Sequence, residues 1–172
     1  MTRTLRAALA ALLLIAAAGC REEKAAPTAA TDDAAAVGDE VSILRKFPPS
    51  ASGGYAAPAQ EVHRDAASFA SAWKKANAHL APIPAVPPVD FAKEMVALVA
   101  LGQKPNGGWS VEIVGLRRTE SALRILYSVR APAPGAMSAA VITHPWHAVV
   151  LTRDEGPIEW SEYSPPGAAT PK

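Results

Sequence analysis

The sequence predicts an α+β fold: a mainly antiparallel β-sheet with one amphipathic helix packed on it, in a single small domain. Three observations carry this expectation. One segment has helical period, several later segments are alternating or continuously apolar, and the connections between them are too short for parallel crossovers.

In chain order, Val41 to Phe47 reads as a first strand, followed by a turn-rich stretch through Ser52-Gly-Gly-Tyr55. The helix is expected from about Ala66 to His79. Asp65 suits its N-cap, Phe69, Trp73, Ala76 and Leu80 fall on one face, and Lys74, Lys75 and His79 lie in the last turns, where cations complement the helix dipole. Pro82, Pro84, Pro87 and Pro88 follow and cannot continue it. Met95 to Leu101 is apolar throughout, the pattern of a strand buried on both faces. Trp109, Val111 and Ile113 alternate with polar neighbours, as do Leu123, Ile125, Tyr127 and Val129, so each of these strands has one wet face. His147 to Thr152 makes a fourth strand and Ile158 to Trp160 a short fifth. Polar connections such as Arg117 to Ser121 favour hairpins.

Composition bounds the rest. The 172 residues are 49% hydrophobic, and 17 Lys and Arg against 16 Asp and Glu give a formal charge of +1, which disfavours a nucleic-acid partner. A single cysteine excludes an internal disulfide and a cysteine-rich metal site. Arg3 and Arg6 precede an apolar run from Ala7 to Ala18, the layout of a secretory signal peptide. That run is shorter than the roughly 20 residues a helix needs to span a bilayer. Ile15-Ala-Ala-Ala-Gly19-Cys20 resembles the bacterial lipobox, with Ala17 where Leu is usual. The resemblance implies that Cys20 is lipidated and becomes the mature N-terminus, which holds the protein on a membrane. In a Gram-negative cell, Arg21 after the cysteine favours the outer membrane, facing the periplasm.

The expected organisation is therefore a lipoprotein signal peptide over 1–19, an acidic, Ala-rich tether over 20–40, a folded domain over 41–163 and a Pro- and Gly-containing tail over 164–172. The tether lacks the branched and aromatic side chains that would offset the entropy of ordering it. All the aromatics lie in the domain.

Few residues carry chemistry. His144 and His147 have a His-x-x-His spacing, but Pro145 stands between them and a strand follows, so no helix presents them to a metal. His63 is expected in a loop and His79 at a helix end, both remote from that pair in sequence. Ser71 and Lys74 match Ser-x-x-Lys without the further motifs of penicillin-recognising enzymes. Asp90 and Glu94 read as a cap and a surface charge rather than an acid-base pair. No phosphate loop, dinucleotide fingerprint or Gly-x-Ser-x-Gly is present. The expectation is a protein with no catalytic residue, metal or cofactor.

The segment Lys104-Pro105-Asn106-Gly107-Gly108-Trp109 reads as a stiff hairpin turn: Asn106-Gly107 is a strong turn signal, both glycines permit positive φ, and Pro105 restricts the approach. Such a turn sets strand register, and an aromatic on a rigid loop is also a favoured binding anchor.

From Asp65 to Thr152 the chain resembles the C-terminal domain family of PrcB-type lipoproteins. The shared pattern is Phe69 and Trp73 on a helix, the Asp90-Phe91 pair, Gly102-Gln-Lys104-Pro-Asn106-Gly-Gly108-Trp109 between two strands, and Pro145-Trp146-His147 opening another. Trp109 stands where Tyr is commoner. The resemblance implies a non-enzymatic accessory role, stabilising a secreted serine protease complex, with another extracytoplasmic protein as partner. The Lys104–Trp109 turn is also similar to the wedge of chagasin-type protease inhibitors, which supplies an alternative function as an inhibitor.

Overall fold

The computed structural model describes residues 38–133 and 135–164. The expected signal peptide, Cys20, most of the tether and most of the tail lie outside the described residues.

Among the described residues eight strands and one helix follow in the order β1 (Asp39–Val41), β2 (Ile43–Lys46), β3 (Pro58–His63), α1 (Ala66–Ala76), β4 (Glu94–Leu101), β5 (Ser110–Arg118), β6 (Leu123–Arg130), β7 (Trp146–Thr152) and β8 (Ile158–Glu162). They form two sheets where the sequence led us to expect one. Strands β2-β7-β4-β3 make a wholly antiparallel sheet, and β1-β5-β6-β8 make a second. The fold remains mostly antiparallel with one short helix.

The middle layer is the β2-β7-β4-β3 sheet. In β4, Val96, Leu98 and Ala100 face one core together with Phe69, Ala72, Trp73 and Ala76 of α1. Met95, Ala97 and Val99 face the other core with Val111, Ile113, Leu123 and Ile125 of the second sheet. β7 divides the same way, with Trp146, Ala148 and Val150 toward the helix and Val149 and Leu151 toward the second sheet. A strand covered on both sides has no wet face, which is why β4 reads as an unbroken apolar run.

The first expected strand is two. The chain pairs with β5 through Asp39–Val41, breaks at Ser42, and pairs with β7 from Ile43. One extended segment thus serves both sheets, and its first two residues belong to the stretch read as tether. β3 escaped sequence reading: Pro58 and Ala59 open it, and as an edge strand beside β4 it needs little apolar alternation. His63, expected in a loop, ends β3 and is buried.

The helix stops three residues early, at Ala76, capped by Asn77, whose N–H donates to the Trp73 carbonyl at 3.0 Å. Leu80, expected on the packed face, lies beyond the cap and is exposed. At the other end the Asp65 carboxylate accepts the Ser68 N–H at 2.8 Å. The Trp73 ring meets Trp146 edge-on and its indole N–H donates to the Pro84 carbonyl, while Arg45 donates to the Pro88 carbonyl. These bonds moor the proline-rich stretch to the helix side.

β5 and β6 form the expected hairpin, closed by mutual bonds between Thr119 and Ala122. β8 departs from expectation by running parallel to β6. The short β7–β8 connection changes sheets, so it delivers β8 to the β6 edge in the parallel sense. Asp154 fixes that corner by pairing with Arg118 and accepting the Gly156 N–H, and Arg64 donates to the Asp154 carbonyl. Burial pushes the Asp154 carboxyl upward, but Arg118 and the Gly156 N–H outweigh it and hold the group below its usual range.

The two-faced burial of β4 has a measurable consequence. Leu98→Ala, at a fully buried position, is expected to lower unfolding free energy by about 2–5 kcal/mol in urea titration. Leu44→Ala, at a half-exposed position, should change it by about 0.5 kcal/mol or less.

Candidate functional site

The Lys104–Trp109 turn does not close a hairpin. β4 and β5 belong to different sheets, so the turn carries the chain from the middle layer to the second sheet. Its backbone is held from outside. Lys104 exchanges both backbone bonds with Thr143, at 2.8 and 3.0 Å, the Thr143 hydroxyl donates to the Asn106 carbonyl, and the Gly107 N–H donates to the Ala139 carbonyl at 2.9 Å. Inside it, the Trp109 indole N–H donates to Asn106 Oδ1 at 2.9 Å, and the Lys104 ammonium lies 4.7 Å from the Trp109 ring centre. The last is a cation–π contact. Lys104, Asn106, Gly107 and Trp109 are therefore tied to one another or to the 139–143 segment.

The glycines are not equivalent. Gly108 has φ +87° and a Cβ there would stand 3.0 Å from Pro132 Cγ, whereas Gly107 has no left-handed φ and its nearest neighbour would be Ala139 Cβ at 3.6 Å. Gly102 opens the turn at φ +70°, with the Pro58 backbone nitrogen 2.7 Å from where a Cβ would sit.

The His-x-x-His spacing does not make a metal pair. His147 lies between the sheets, fully buried, where its Nδ1 accepts the Ile113 N–H at 2.9 Å. That bond falls beside the register shift between Ile113 and Gly115, so the ring serves a backbone donor at a bulge. Nε2 has no hydrogen-bond partner among the described residues. His144 precedes β7 and is tied to Ala51 through its own backbone N–H. Burial lowers the His147 pKa below the usual histidine value, more than the nearby Phe47 carbonyl and Glu112 can raise it.

The remaining candidates are local. Ser71 and Lys74 are exposed on α1. Asp90 Oδ1 accepts the Ala92 N–H and Glu94 Oε2 accepts the Asp90 N–H, so this carboxylate pair caps one turn.

Sequence reading missed a partly buried polar cluster on the helix side of β3. The Tyr55 hydroxyl donates to Glu61 at 2.8 Å, and His63 Nε2 stands 3.2 Å from the same carboxylate without the alignment of a hydrogen bond. The Lys75 ammonium lies 4.0 Å from the Tyr55 ring centre. Burial and Glu61 push the Tyr55 hydroxyl up, while burial draws His63 down despite Glu61 and Asp65. The i, i+2 spacing of Glu61 and His63 on one strand face was the available signal.

Comparison with known proteins adds one result. Residues 95–152 match the protein family described as PrcB C-terminal. The match begins in β4 and ends with β7, so it contains the turn, the β5–β6 hairpin and His147. It confirms the resemblance over that stretch, while Phe69, Trp73, Asp90 and Phe91 lie before it. No curated protein and no solved structure matches the chain.

Two outcomes are expected. Gly108→Ala should cost about 1–2 kcal/mol of stability for its left-handed backbone, and Gly107→Ala about 1 kcal/mol or less, as read by thermal or urea unfolding. Equal effects would contradict the assignment of the turn to Gly108. His63 and His147 both titrate below their unfolded value of about 6.5. As pH falls through that value the unfolded chain takes up protons that the native state does not, so stability should decline from about pH 7 toward 5. A His63→Gln, His147→Gln double variant should show a flatter profile in that window, and an unchanged slope would contradict it.

Proposed function

We propose that the chain is a membrane-anchored extracytoplasmic protein-binding module, an accessory or stabilising subunit of a secreted or periplasmic protease complex. Lipid on Cys20 holds it to the membrane, in a Gram-negative cell the outer membrane facing the periplasm, and the Lys104–Trp109 turn contacts the partner. The reading involves no catalytic residue. The observation that carries it is the match of the PrcB C-terminal family across the turn, whose backbone is clamped at Lys104 and Gly107. A loop held this way presents Lys104 and Trp109 at little ordering cost on binding.

The alternative, a chagasin-like inhibitor, requires the turn to project as a free wedge. Its backbone is bonded to Thr143 and Ala139, and half-buried Trp109 is engaged with Asn106 and Lys104. The geometry favours a docking face over a cleft-filling wedge.

Crosslinking in native membranes, followed by recovery of the protein and identification of what is bound, tests the proposal. The expected outcome is an extracytoplasmic protease or its complex, recovered with the wild type and strongly reduced with a Lys104→Ala, Trp109→Ala variant. A Cys20→Ser variant should leave the membrane fraction. Recovery unchanged by the double substitution would remove the turn from the interface, and retention of Cys20→Ser on the membrane would remove the lipid anchor.

A further inference from the structure

The two sheets end in four edge strands, β2 and β3 in one and β1 and β8 in the other. An exposed edge invites pairing with another chain, and short length, bulges or charge guard against it. β1 is three residues long and carries Asp39 and Glu40. β2 contains Arg45 and Lys46 and a register shift after Ile43, and β8 carries Glu159 and Glu162. β3 runs for six residues in unbroken register with β4, and its Glu61 is turned to the helix side, where it accepts the Tyr55 hydroxyl. Its free backbone groups follow from the ladder. Leu101 of β4 donates its N–H to the Pro145 carbonyl, toward β7. Bonding direction alternates along an antiparallel strand, so Ala100, Leu98 and Val96 bond to Ala59, Glu61 and His63. The N–H groups of Gln60 and Val62 and the carbonyls of Pro58, Gln60 and Val62 therefore point out of the sheet, and none has a partner among the described residues. Pro58, which has no N–H to offer, sits at an outward position, as suits an edge strand.

The same edge borders a cavity. Val62 packs with Ile158 and Trp160 in the core between the sheets, so β3 and β8 flank one seam of the sandwich. A cavity of about 320 Å³ opens there, lined by Pro58, Gln60, Val99, Leu101 and Tyr127, with Pro58 and Gln60 exposed. That volume lies at the small end of ligand pockets and has room for a branched apolar side chain. The Tyr127 ring centre stands 6.3 Å from that of Trp160, and Gln60 hydrogen-bonds the Tyr127 hydroxyl. Charge at the seam has one sign. Glu162 follows Ile158 and Trp160 on the inner side of β8, is exposed, and lies in register with Tyr127. It forms no ion pair among the described residues. Neighbouring charges are turned elsewhere. Glu159 pairs with Arg124 on the outer face, and Arg130 alternates outward from Val129. Arg64 donates to the Asp154 and Gly156 carbonyls, and Lys104 lies on the β7 side, bonded to Thr143.

We propose that the free edge of β3 takes up an extended segment of a partner protein as a further strand, with an apolar side chain in this cavity and a Lys or Arg beside Glu162. The unpaired amide groups recur about every 7 Å along β3, the repeat that an extended backbone matches. Alternate side chains of an added strand face the seam, so one reaches the cavity past Gln60 while a neighbour on the same face meets Glu162. Main-chain bonds supply affinity, and the cavity and the carboxylate supply selection. This surface is separate from the Lys104–Trp109 turn, and the proposal does not rest on the role given to that turn.

The test measures fluorescence anisotropy of a labelled peptide, Ser-Lys-Thr-Val-Thr-Lys-Ser, titrated with the full chain. N-methylation of one alternate set of its amides should weaken binding at least about tenfold, and methylation of the other set should not, because only one set faces β3. Exchanging Val for Ser should weaken it about tenfold, and exchanging both Lys for Glu about threefold or more at low salt. Glu162→Lys should reverse the preference between the Lys and Glu peptides. Gln60→Pro removes an outward N–H that β4 does not use and should abolish binding, whereas Gln60→Ala should retain it within about threefold; the methylated peptides pose the same question to the unaltered protein. Absence of binding, equal effects of the two methylations, or no reversal with Glu162→Lys would overturn the proposal. Concentration-dependent self-association abolished by Gln60→Pro would overturn it in favour of a second copy at this edge. Peptide binding seen only after removal of residues 165–172 would overturn it in favour of the chain's own end.

Discussion

The fold depends on one constraint: β4 and β7 are covered on both faces. Every side chain from Met95 to Ala100 and from Trp146 to Leu151 is buried, so within these runs a polar side chain is costly. Alternate residues must fit two different cores, one built by helix aromatics and one by the second sheet. The sole polar side chain in these runs, His147, is held by giving its acceptor to a backbone donor at the β5 bulge. Everything peripheral is arranged to complete this layer. β2 and β3 satisfy its edges, α1 covers one face, and the second sheet covers the other.

Those covering relations explain what could be read from sequence and what could not. Continuous apolarity over Met95–Leu101 announces double burial, and the alternation of Leu123, Ile125 and Tyr127 announces a strand with one wet face. Asp65 and its bond to Ser68 gave the helix start reliably because the capping chemistry is local. The partition into two sheets was not legible. Nothing in Val41 to Phe47 marks Ser42 as the place where the chain changes partner, because both halves are extended and the break is decided by tertiary pairing. β8 misled for a related reason: loop length predicts an antiparallel neighbour only while the chain stays in one sheet.

The candidate site was legible in its residues and not in its architecture. Gly102 to Trp109 stands out in the sequence, and Gly102 and Gly108 both adopt the left-handed conformations that explain them. Its partner segment does not stand out. Pro132 to Thr143 has no period and no charged residue, and the bonds from Lys104 and Gly107 show that it is part of the same body. The braced turn is therefore a property of two segments more than thirty positions apart, joined by backbone hydrogen bonds.

The break at Ser42 has a mechanical consequence. Because β1 and β2 follow one another with only Ser42 between them, registered with β5 in one sheet and β7 in the other, a pull on the N-terminus along the strand axis loads both sets of hydrogen bonds in shear. The bonds must then yield together, whereas a strand peeled from one end loses them singly. A domain held by its N-terminal side would resist extraction at the very segment by which its chain enters the fold.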